Sequence, residues 1–600
     1  MKTKKILLFF LTLIVSLTAV GCGGKEKQTD LVDGVKPDKP IVVEFWMYGD
    51  DTELAVYKQL VEEFNKANEG YVIVKFVQKA GTSYSNALKT VLRGNSGPDI
   101  FYVEETGFKA MAENGTLYDL SSYVEKSTAY KVSDMWDSAV SRFQYDVNTK
   151  SNNGPDKKYY AVPKDIGPTV VYYNETFFNN AGVKVISVAA EDLDAFNNNG
   201  AKDARGKTKS DYGINCEVKE KGYFVDNSGK KWFNNKIAMS WEETRTLAQV
   251  VQTSMRKKDS KAFGFYTEWW FNYGWSVGGD CIQYIPTDDQ TYVGGYYDFT
   301  LMDPTANYIV ADDAEPFTIN GNTYYPGQTI SYNDKLVNEA PTTPGKKDTT
   351  KKQIEPSVLE AAKTGQLNEL PSQREAFVEF VRLAATKGTK VDGELYGYEV
   401  SPYPNSIGGD SQKAEAFAKG QVAMLIDGRW DVTTFREKMD GKYEWDVAPL
   451  PIYKQYDTEG NVKVHGVPAG HSGSIGVAIN AKTQVPNAAW KFLEYIGGEY
   501  GQSVQSKTGF AIPLQKHLAE DDEIFLQSSQ NPRNSAIFIE AAENQKAGDW
   551  WYLRDNAWIT NWANLLNGSV RNGKLTLTDF YNHKDYDSTY NKLLEYTKKK

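Results

Sequence analysis

The chain has 600 residues, 40% hydrophobic and 24% charged, enough apolar material for more than one buried core. Its 68 Lys and Arg against 78 Asp and Glu give a net charge of −10, which excludes the cation excess that nucleic-acid phosphates require. Four His and three Cys leave little material for His-based catalysis or a Cys/His metal site, so neither a metal nor an organic cofactor is expected. Aromatic residues are plentiful, with 14 Trp and 38 Tyr, and suit a surface that handles flat, partly apolar ligands.

At the N-terminus, Lys2, Lys4 and Lys5 precede the apolar run ILLFFLTLIVSL (6–17), which is too short for a comfortable membrane span. TAVGC (18–22) then supplies small residues and a cysteine, the layout of a secretory signal peptide over residues 1–21. The ending AVGC resembles the bacterial lipobox, with Ala19 where Leu is commonest. That resemblance implies that Cys22 is diacylated and becomes the mature N-terminus, and two acyl chains suffice for stable membrane attachment. Residues 22–40 are polar, with Gly and Pro, and read as a flexible tether.

IVVEFWMY (41–48) is a strand candidate, and Gly49, Asp50 and Asp51 form a turn with capping residues. Leu54, Tyr57, Val61 and Phe64 then fall at helical spacing. A second strand (71–78), a second helix (84–93) and a third strand in GPDIFYVEE (97–105) follow. Strands alternating with helices imply an α/β lobe with a mainly parallel sheet, whose ligands sit beyond the carboxyl ends of the strands. Trp46, Tyr48, Asp50, Tyr84, Glu104 and Glu105 lie at such ends and are candidate ligand contacts.

YYAVPKDIGP (159–168) is a polar loop that delivers Lys164 and Asp165, and TVVYY (169–173) leaves it as a β-branched and aromatic strand. Residues 183–239, rich in Asn, Gly and Lys, read as an insertion before the helix SWEETRTLAQVVQ (240–252). Trp269, Trp270 and Trp275 cluster in the Gly-rich aromatic segment 261–280. Residues 286–356 read as a second, β-rich insertion with short strands around an Asn-Gly turn. EAFAKGQVAMLIDGRWDV (415–432) is a helix, a strand and a turn carrying Arg429 and Trp430. GHSGSIGVAIN (470–480) begins with a Gly/Ser loop holding His471, TGFAIPL (508–514) is an extended connection, and AGDWWYLRDNAWITNWANLLNG (547–568) is a loop and helix with Trp551 and Arg554.

FWMYGD, GPDIFYVEE followed by NGTLYDLS, VPKDIGPTVVYYN, EAFAKGQVAMLIDGRWDV and WDVAPLP occur in an order and spacing that resemble the extracellular solute-binding proteins of ABC importers, in the maltose-binding-protein-like cluster that binds sugars. The resemblance covers 41–600 apart from the two insertions. It implies a two-lobed α/β fold of the type II periplasmic-binding-protein kind, with interlobe crossings at about 168, 473 and 512. The lobes would be 41–168 plus 474–512, and 169–473 plus 513–600. It implies a binding protein rather than an enzyme. The ligand would be a carbohydrate, an oligosaccharide by the number of aromatics, held between Lys164 and Asp165 on one lobe and the aromatics with Arg429 on the other. A permease would be the partner, the chain a lipid-anchored monomer on the outer face of a Gram-positive membrane.

Two alternatives were weighed on the residues. A surface glycoside hydrolase needs two carboxylates on facing sides of a bond, and no motif pairs Glu104, Asp165 or Glu268. An adhesin needs repeats or low-complexity stalks, and neither is found. Cys216 and Cys281 could pair in an exported protein or stand as two buried thiols.

Overall fold

The run IVVEFWM forms the strand Ile41–Met47, whose alternate residues Val43, Phe45 and Met47 are fully buried. It pairs in parallel with Val72–Gln78 on one side and Ile100–Glu104 on the other. Two antiparallel strands complete a five-stranded sheet, Ile475–Ile479 beside Ile100–Glu104 and then Val162–Pro163. The helix Asp51–Ala67 covers this sheet with Leu54, Tyr57, Leu60, Val61 and Phe64 and starts at Asp50, whose carboxylate accepts from Glu53 N at 2.8 Å. The structure is a computed structural model and describes residues 28–94, 97–150, 152, 154–198, 200–337, 350–387, 389–391, 395–403, 406–407, 412–473, 475–546 and 562–599.

The chain leaves the first sheet at Val162–Pro163 and enters a second as Gly167–Asn174, the central strand between Met424–Gly428 and Trp445–Ala448, both antiparallel to it. All eight residues of this strand are buried. Val170 and Tyr172 face the core shared with the first sheet, while Val171 and Tyr173 face the core of the second lobe. That is why TVVYY is apolar without alternation: both faces of the strand are covered. Ser472–Gly473 pairs with Pro168 and Gly167 just before the chain returns to the first sheet, so two strands cross side by side.

Both insertions have cores of their own. In 183–239 the strand Lys231–Asn234 pairs with Val183–Ile186 and Tyr223–Val225 over Ile186, Val188, Phe196, Ile214, Val218 and Trp232. In 286–356 the hairpin Phe317–Ile319 with Asn322–Tyr324 turns through Asn320 and Gly321, both at positive φ (50° and 81°), the backbone an Asn-Gly turn demands. Phe317 and Ile319 pack with Tyr308, Val310, Ile330 and Leu367.

Two expectations are corrected, and one open question is answered. The segment read as a flexible tether is docked at 28–31: Gln28 brackets Val42 with two hydrogen bonds, Leu31 is buried, and Asp30 accepts from Asn487 N and Ala488 N, the first turn of the helix Pro486–Gly497. Secondly, the chain does not leave the first lobe at 512. Trp136 Nε1 donates to Pro513 O at 3.0 Å and Gln515 Nε2 to Gly497 O at 2.9 Å, so the segment after Pro513 still packs on first-lobe elements. The passage to the second sheet comes at 527–534, where Arg436 binds Gln527 and Asn531 O, and Asn534 N donates to Asp446. The Gly and Pro of TGFAIPL mark a bend, not a crossing. Of the two readings open for Cys216 and Cys281, the structure has the unpaired one: no disulfide joins them, Cys216 half-buried against the insertion's core and Cys281 fully buried in the second lobe.

Among the described residues no helix is long and apolar enough to cross a membrane, and no group of three His, Cys, Asp or Glu side chains could hold a metal ion.

Burial pushes the Cys216 thiol above its ordinary pKa. Thiol titration of the native chain without reductant should therefore find Cys216 reacting slowly and Cys281 only on unfolding. Two thiols missing in the unfolded chain would mean that they pair.

Candidate functional site

The two sheets meet at the crossing, and Lys164 is its anchor. Its side chain is 8% exposed, and Nζ lies 2.8 Å from Glu53 Oε1 and 2.9 Å from Asp165 Oδ2. Its backbone is held as well: N donates to Ile475 O at 2.7 Å, and O accepts from Gln502 Nε2 (3.0 Å) and Gln505 Nε2 (2.8 Å). Burial disfavours the charge on Lys164, but Asp165 and Glu53 outweigh it and raise the ammonium pKa. Burial also raises Glu53 against the pull of Lys164. Glu53 was not singled out in the sequence, although Asp50-x-x-Glu53 places it in the first helical turn, close to the strand ends.

On the first-lobe wall, Tyr48 donates to Glu104 Oε1 at 2.7 Å, and both are half-exposed. Asp50 is exposed at the head of its helix. The other candidates on this wall are committed inward. Tyr84 is 2% exposed and its hydroxyl is shared between Tyr102 O (2.9 Å) and Trp46 O (3.2 Å). Trp46 is buried, with Nε1 on Glu44 and Lys79 Nζ 3.7 Å from its ring centre. Glu105 is buried in an ion pair with Arg142.

On the second-lobe wall, Trp430 lies against three glycines. A Cβ on Gly428 would stand 2.1 Å from its ring, and Cβ atoms on Gly167 and Gly473 would stand 3.1 and 3.0 Å away. The indole therefore spreads over the crossing strands, where a side chain at any of those positions would displace it. Trp269 meets Trp430 edge to face at 6.3 Å and His471 at 5.6 Å, and Lys413 Nζ sits 4.1 Å from its ring centre. His471 is buried, and burial with the nearby Arg142 and Lys413 drives its pKa well down, so the ring is neutral.

An acidic cluster surrounds Lys413. Its Nζ donates to Glu268 Oε1 at 2.6 Å and lies 3.4 Å from Asp427 Oδ1. Burial and the neighbouring Asp431 raise Asp427 well above the carboxylate range, and burial raises Asp431 while a hydrogen bond from Asp427 opposes this. Burial and the neighbouring carboxylate thus disfavour the charged form of Asp427. Asp431 also feels the charge of Asp50, which brings the two lobes' walls within electrostatic reach of each other. The motif DGRWD holds all these groups, but its residue types alone do not tell which side chain turns to the cleft.

Besides Trp46 and Glu105, the structure turns four more candidates away from the cleft. Trp270 packs on Trp562 and Phe271, 3% exposed, and Trp275 is 1% exposed against Phe271. Both belong to the core because the short helix Phe271–Ser276 and the turn before it pack inward. Arg429 is fully buried, its guanidinium 4.6 and 4.9 Å from the Phe525 and Phe538 rings, and burial pulls its pKa down. It braces the turn that presents Trp430 and cannot reach a ligand. Tyr84 is closed off by the two carbonyls its hydroxyl serves. Trp551, Arg554 and Cys22 lie outside the described residues.

Two family models with the description "Bacterial extracellular solute-binding protein" match the chain, one over residues 48–239 and one over 296–533. The chain belongs to the bacterial extracellular solute-binding proteins. Among solved structures, this solute-binding protein is similar to an ABC substrate-binding protein from Listeria monocytogenes in complex with cycloalternan, at 17% identity and a TM-score of 0.54, over 93% of this chain and 99% of that one. It is similar to the GacH receptor of Streptomyces glaucescens, solved with acarbose, at 16% and 0.52 over 93% and 99%. It is also similar to UgpB from Mycobacterium tuberculosis in complex with glycerophosphocholine, at 15% and 0.54 over 92% and 98%. At such identities the likeness establishes the two-lobed α/β fold. No curated protein matches the sequence.

The raised pKa of Asp427 has a testable consequence. Its folded pKa lies above its unfolded one, so its contribution to stability is full below about pH 4 and is lost as pH rises through the folded pKa. Asp427→Asn, which mimics the protonated form, should keep or raise the melting temperature at pH 8 and flatten its decline with pH. Thermal unfolding between pH 5 and 8 checks this; a uniform loss of stability in the variant would place a charged Asp427 there instead.

Proposed function

We propose that this solute-binding protein captures a neutral oligosaccharide in the cleft between its two sheets and delivers it to the permease of an ABC importer. In this reading a diacylated Cys22 holds it as a monomer on the outer face of a bacterial, Gram-positive membrane. The observation that carries the ligand class is the Trp430 indole spread over Gly167, Gly428 and Gly473, with Trp269 at its edge. A pyranose has apolar C–H faces that stack on such a ring. Burying on the order of 100 Å² per stacked face stabilises by roughly 2.5 kcal/mol. Carboxylates at Asp50, Glu104, Asp165 and Asp431 accept from hydroxyls, and charge strengthens those bonds.

Solved relatives with cycloalternan and acarbose support an oligosaccharide. The relative with glycerophosphocholine supplies the contrast, since that zwitterion has no pyranose face to stack on an indole. Hydrolysis fits less well than capture. Both matching family models describe solute binding, which supports capture. We read the first lobe as 28–166 with 475–526, the second as the remainder with both insertions, and the crossings as the hinge.

Titration calorimetry with maltotriose, acarbose and glycerophosphocholine tests the ligand class: the reading expects heats from a glycan and none from the phosphodiester. Trp430→Ala should weaken glycan binding by about 1–3 kcal/mol with stability nearly unchanged. Trp275→Ala should instead cost about 3–5 kcal/mol of stability, the folded fraction binding as before. Equal affinity in Trp430→Ala and wild type would move the site elsewhere. For the anchor, Cys22→Ser should yield a chain without diacylglycerol in mass spectra of the membrane fraction.

A further inference from the structure

The cleft lies at the carboxyl ends of the first sheet's strands, where Tyr48 and Glu104 sit. The amino ends of the same strands carry a different surface. Val72 and Val74 of the edge strand Val72–Gln78 are buried, whereas Ile73, Lys75 and the preceding Tyr71 are exposed, so these three share the outer face. Ile73 and Lys75 register with Val42 and Glu44 of the strand Ile41–Met47, both half-buried on that face.

Residues 28–40 run beside this face. A turn over 32–35, closed by Val35 N donating to Val32 O at 3.0 Å and passing through Gly34 at φ 73°, leaves Val32 and Val35 56% and 55% exposed. Lys36 Nζ stands 5.9 Å from the Tyr71 ring centre, and Val32, Val35, Val42 and Lys75 line one hollow. Val32, Val35, Tyr71 and Ile73 are four of the nine large hydrophobic side chains exposed among the described residues, and they fall in one patch. Single exposed hydrophobics are ordinary, but a cluster of them marks a contact surface.

The position of the patch says what covers it. Gln28 is fixed to Val42, the ladder partner of Ile73. Only residues 23–27 separate Gln28 from Cys22, a span of at most about 20 Å. A lipid on Cys22 therefore keeps the patch close to the bilayer. Val and Ile side chains with a Tyr among them suit the boundary between headgroups and acyl chains. Lys36, Lys39 and Lys75 share the patch with Asp30, Asp38, Glu44 and Asp99, so apolar contact, and not attraction to anionic lipid, must carry the association.

We propose that this patch is a second, non-covalent membrane contact, in which Val32, Val35, Tyr71 and Ile73 rest on the lipid surface. The contact depends on the lipid-anchor reading for its nearness to lipid, and it assigns to the bilayer a face of the folded lobe itself. The cleft, at the other end of the strands, stays free.

Hydrogen exchange on vesicles tests it. The chain from residue 22 keeps every described residue, and coupling its Cys22 thiol to a maleimide lipid in phosphatidylcholine vesicles supplies the anchor whether or not the native cysteine is acylated. Cys216→Ser removes the half-buried competing thiol. Because tethering makes the contact intramolecular, a weak patch is still populated, and exchange over 32–36 and 71–75 should slow about twofold or more relative to the uncoupled chain. Exchange in the strand Tyr223–Val225 should not change. The double variant Val32→Asp, Val35→Asp, on an exposed turn, should keep the melting temperature and lose the slowing, whereas Val225→Asp should retain it. Equal exchange in the coupled and uncoupled chains, or slowing that survives in the double variant, overturns the proposal.

Discussion

An ammonium group taken out of water must find counter-charge or lose its proton. Lys164 finds it twice, in Glu53 from the first helix and in Asp165 beside it, exactly where the chain passes from one sheet to the other. The same residue is gripped through its backbone by Ile475, Gln502 and Gln505, so strands and helices far apart in sequence converge on one peptide unit. Removing one partner from such a buried pair typically costs about 3–5 kcal/mol, because the other charge is then stranded. The position of the crossing strand, and hence of Gly167 under the Trp430 ring, depends on that convergence.

From this fixed point the division of labour between the walls follows. The strand after Lys164 is buried on both faces and stiff with β-branched and aromatic residues. The aromatic platform rests on backbone at Gly167, Gly428 and Gly473, so its height above the floor is set by main chain. The polar groups around it come in paired sets with carboxylates equal to or in excess of cations: Lys164 with two carboxylates, Lys413 with Glu268 and Asp427, and Glu105 with Arg142. Such sets offer oriented hydrogen-bonding oxygens, which suits an uncharged, hydroxyl-rich solute.

Much of the frame was legible in the sequence because it rests on local patterns. The alternation of strands and helices over 41–113, the two-faced strand TVVYY and the Asn-Gly hairpin each follow from residue type and spacing. The site was legible only in outline. Trp269 and Trp270 are neighbours with the same side chain, yet one meets Trp430 and the other Trp562, and only the direction in which the turn packs decides it. Arg429 looked like a ligand contact, but two Phe rings from the 515–546 segment claim it. Glu53 and Lys413 were missed because the contacts that bring them to the site, Glu53 with Lys164 and Lys413 with Glu268, span 111 and 145 positions, where no local pattern can point to them.

The docking of residues 28–31 changes what an acyl chain at Cys22 would do. Only residues 23–27 separate that cysteine from Gln28, and a chain of this length spans at most about 20 Å. A long leash would let the molecule tumble freely above the bilayer. A short one fixed beside the helix Pro486–Gly497 keeps the first lobe near the lipid and restricts the orientations open to the second. Encounter with a membrane partner then becomes a search in two dimensions with part of the rotational freedom already removed, which raises the effective concentration of productive poses without any added contact.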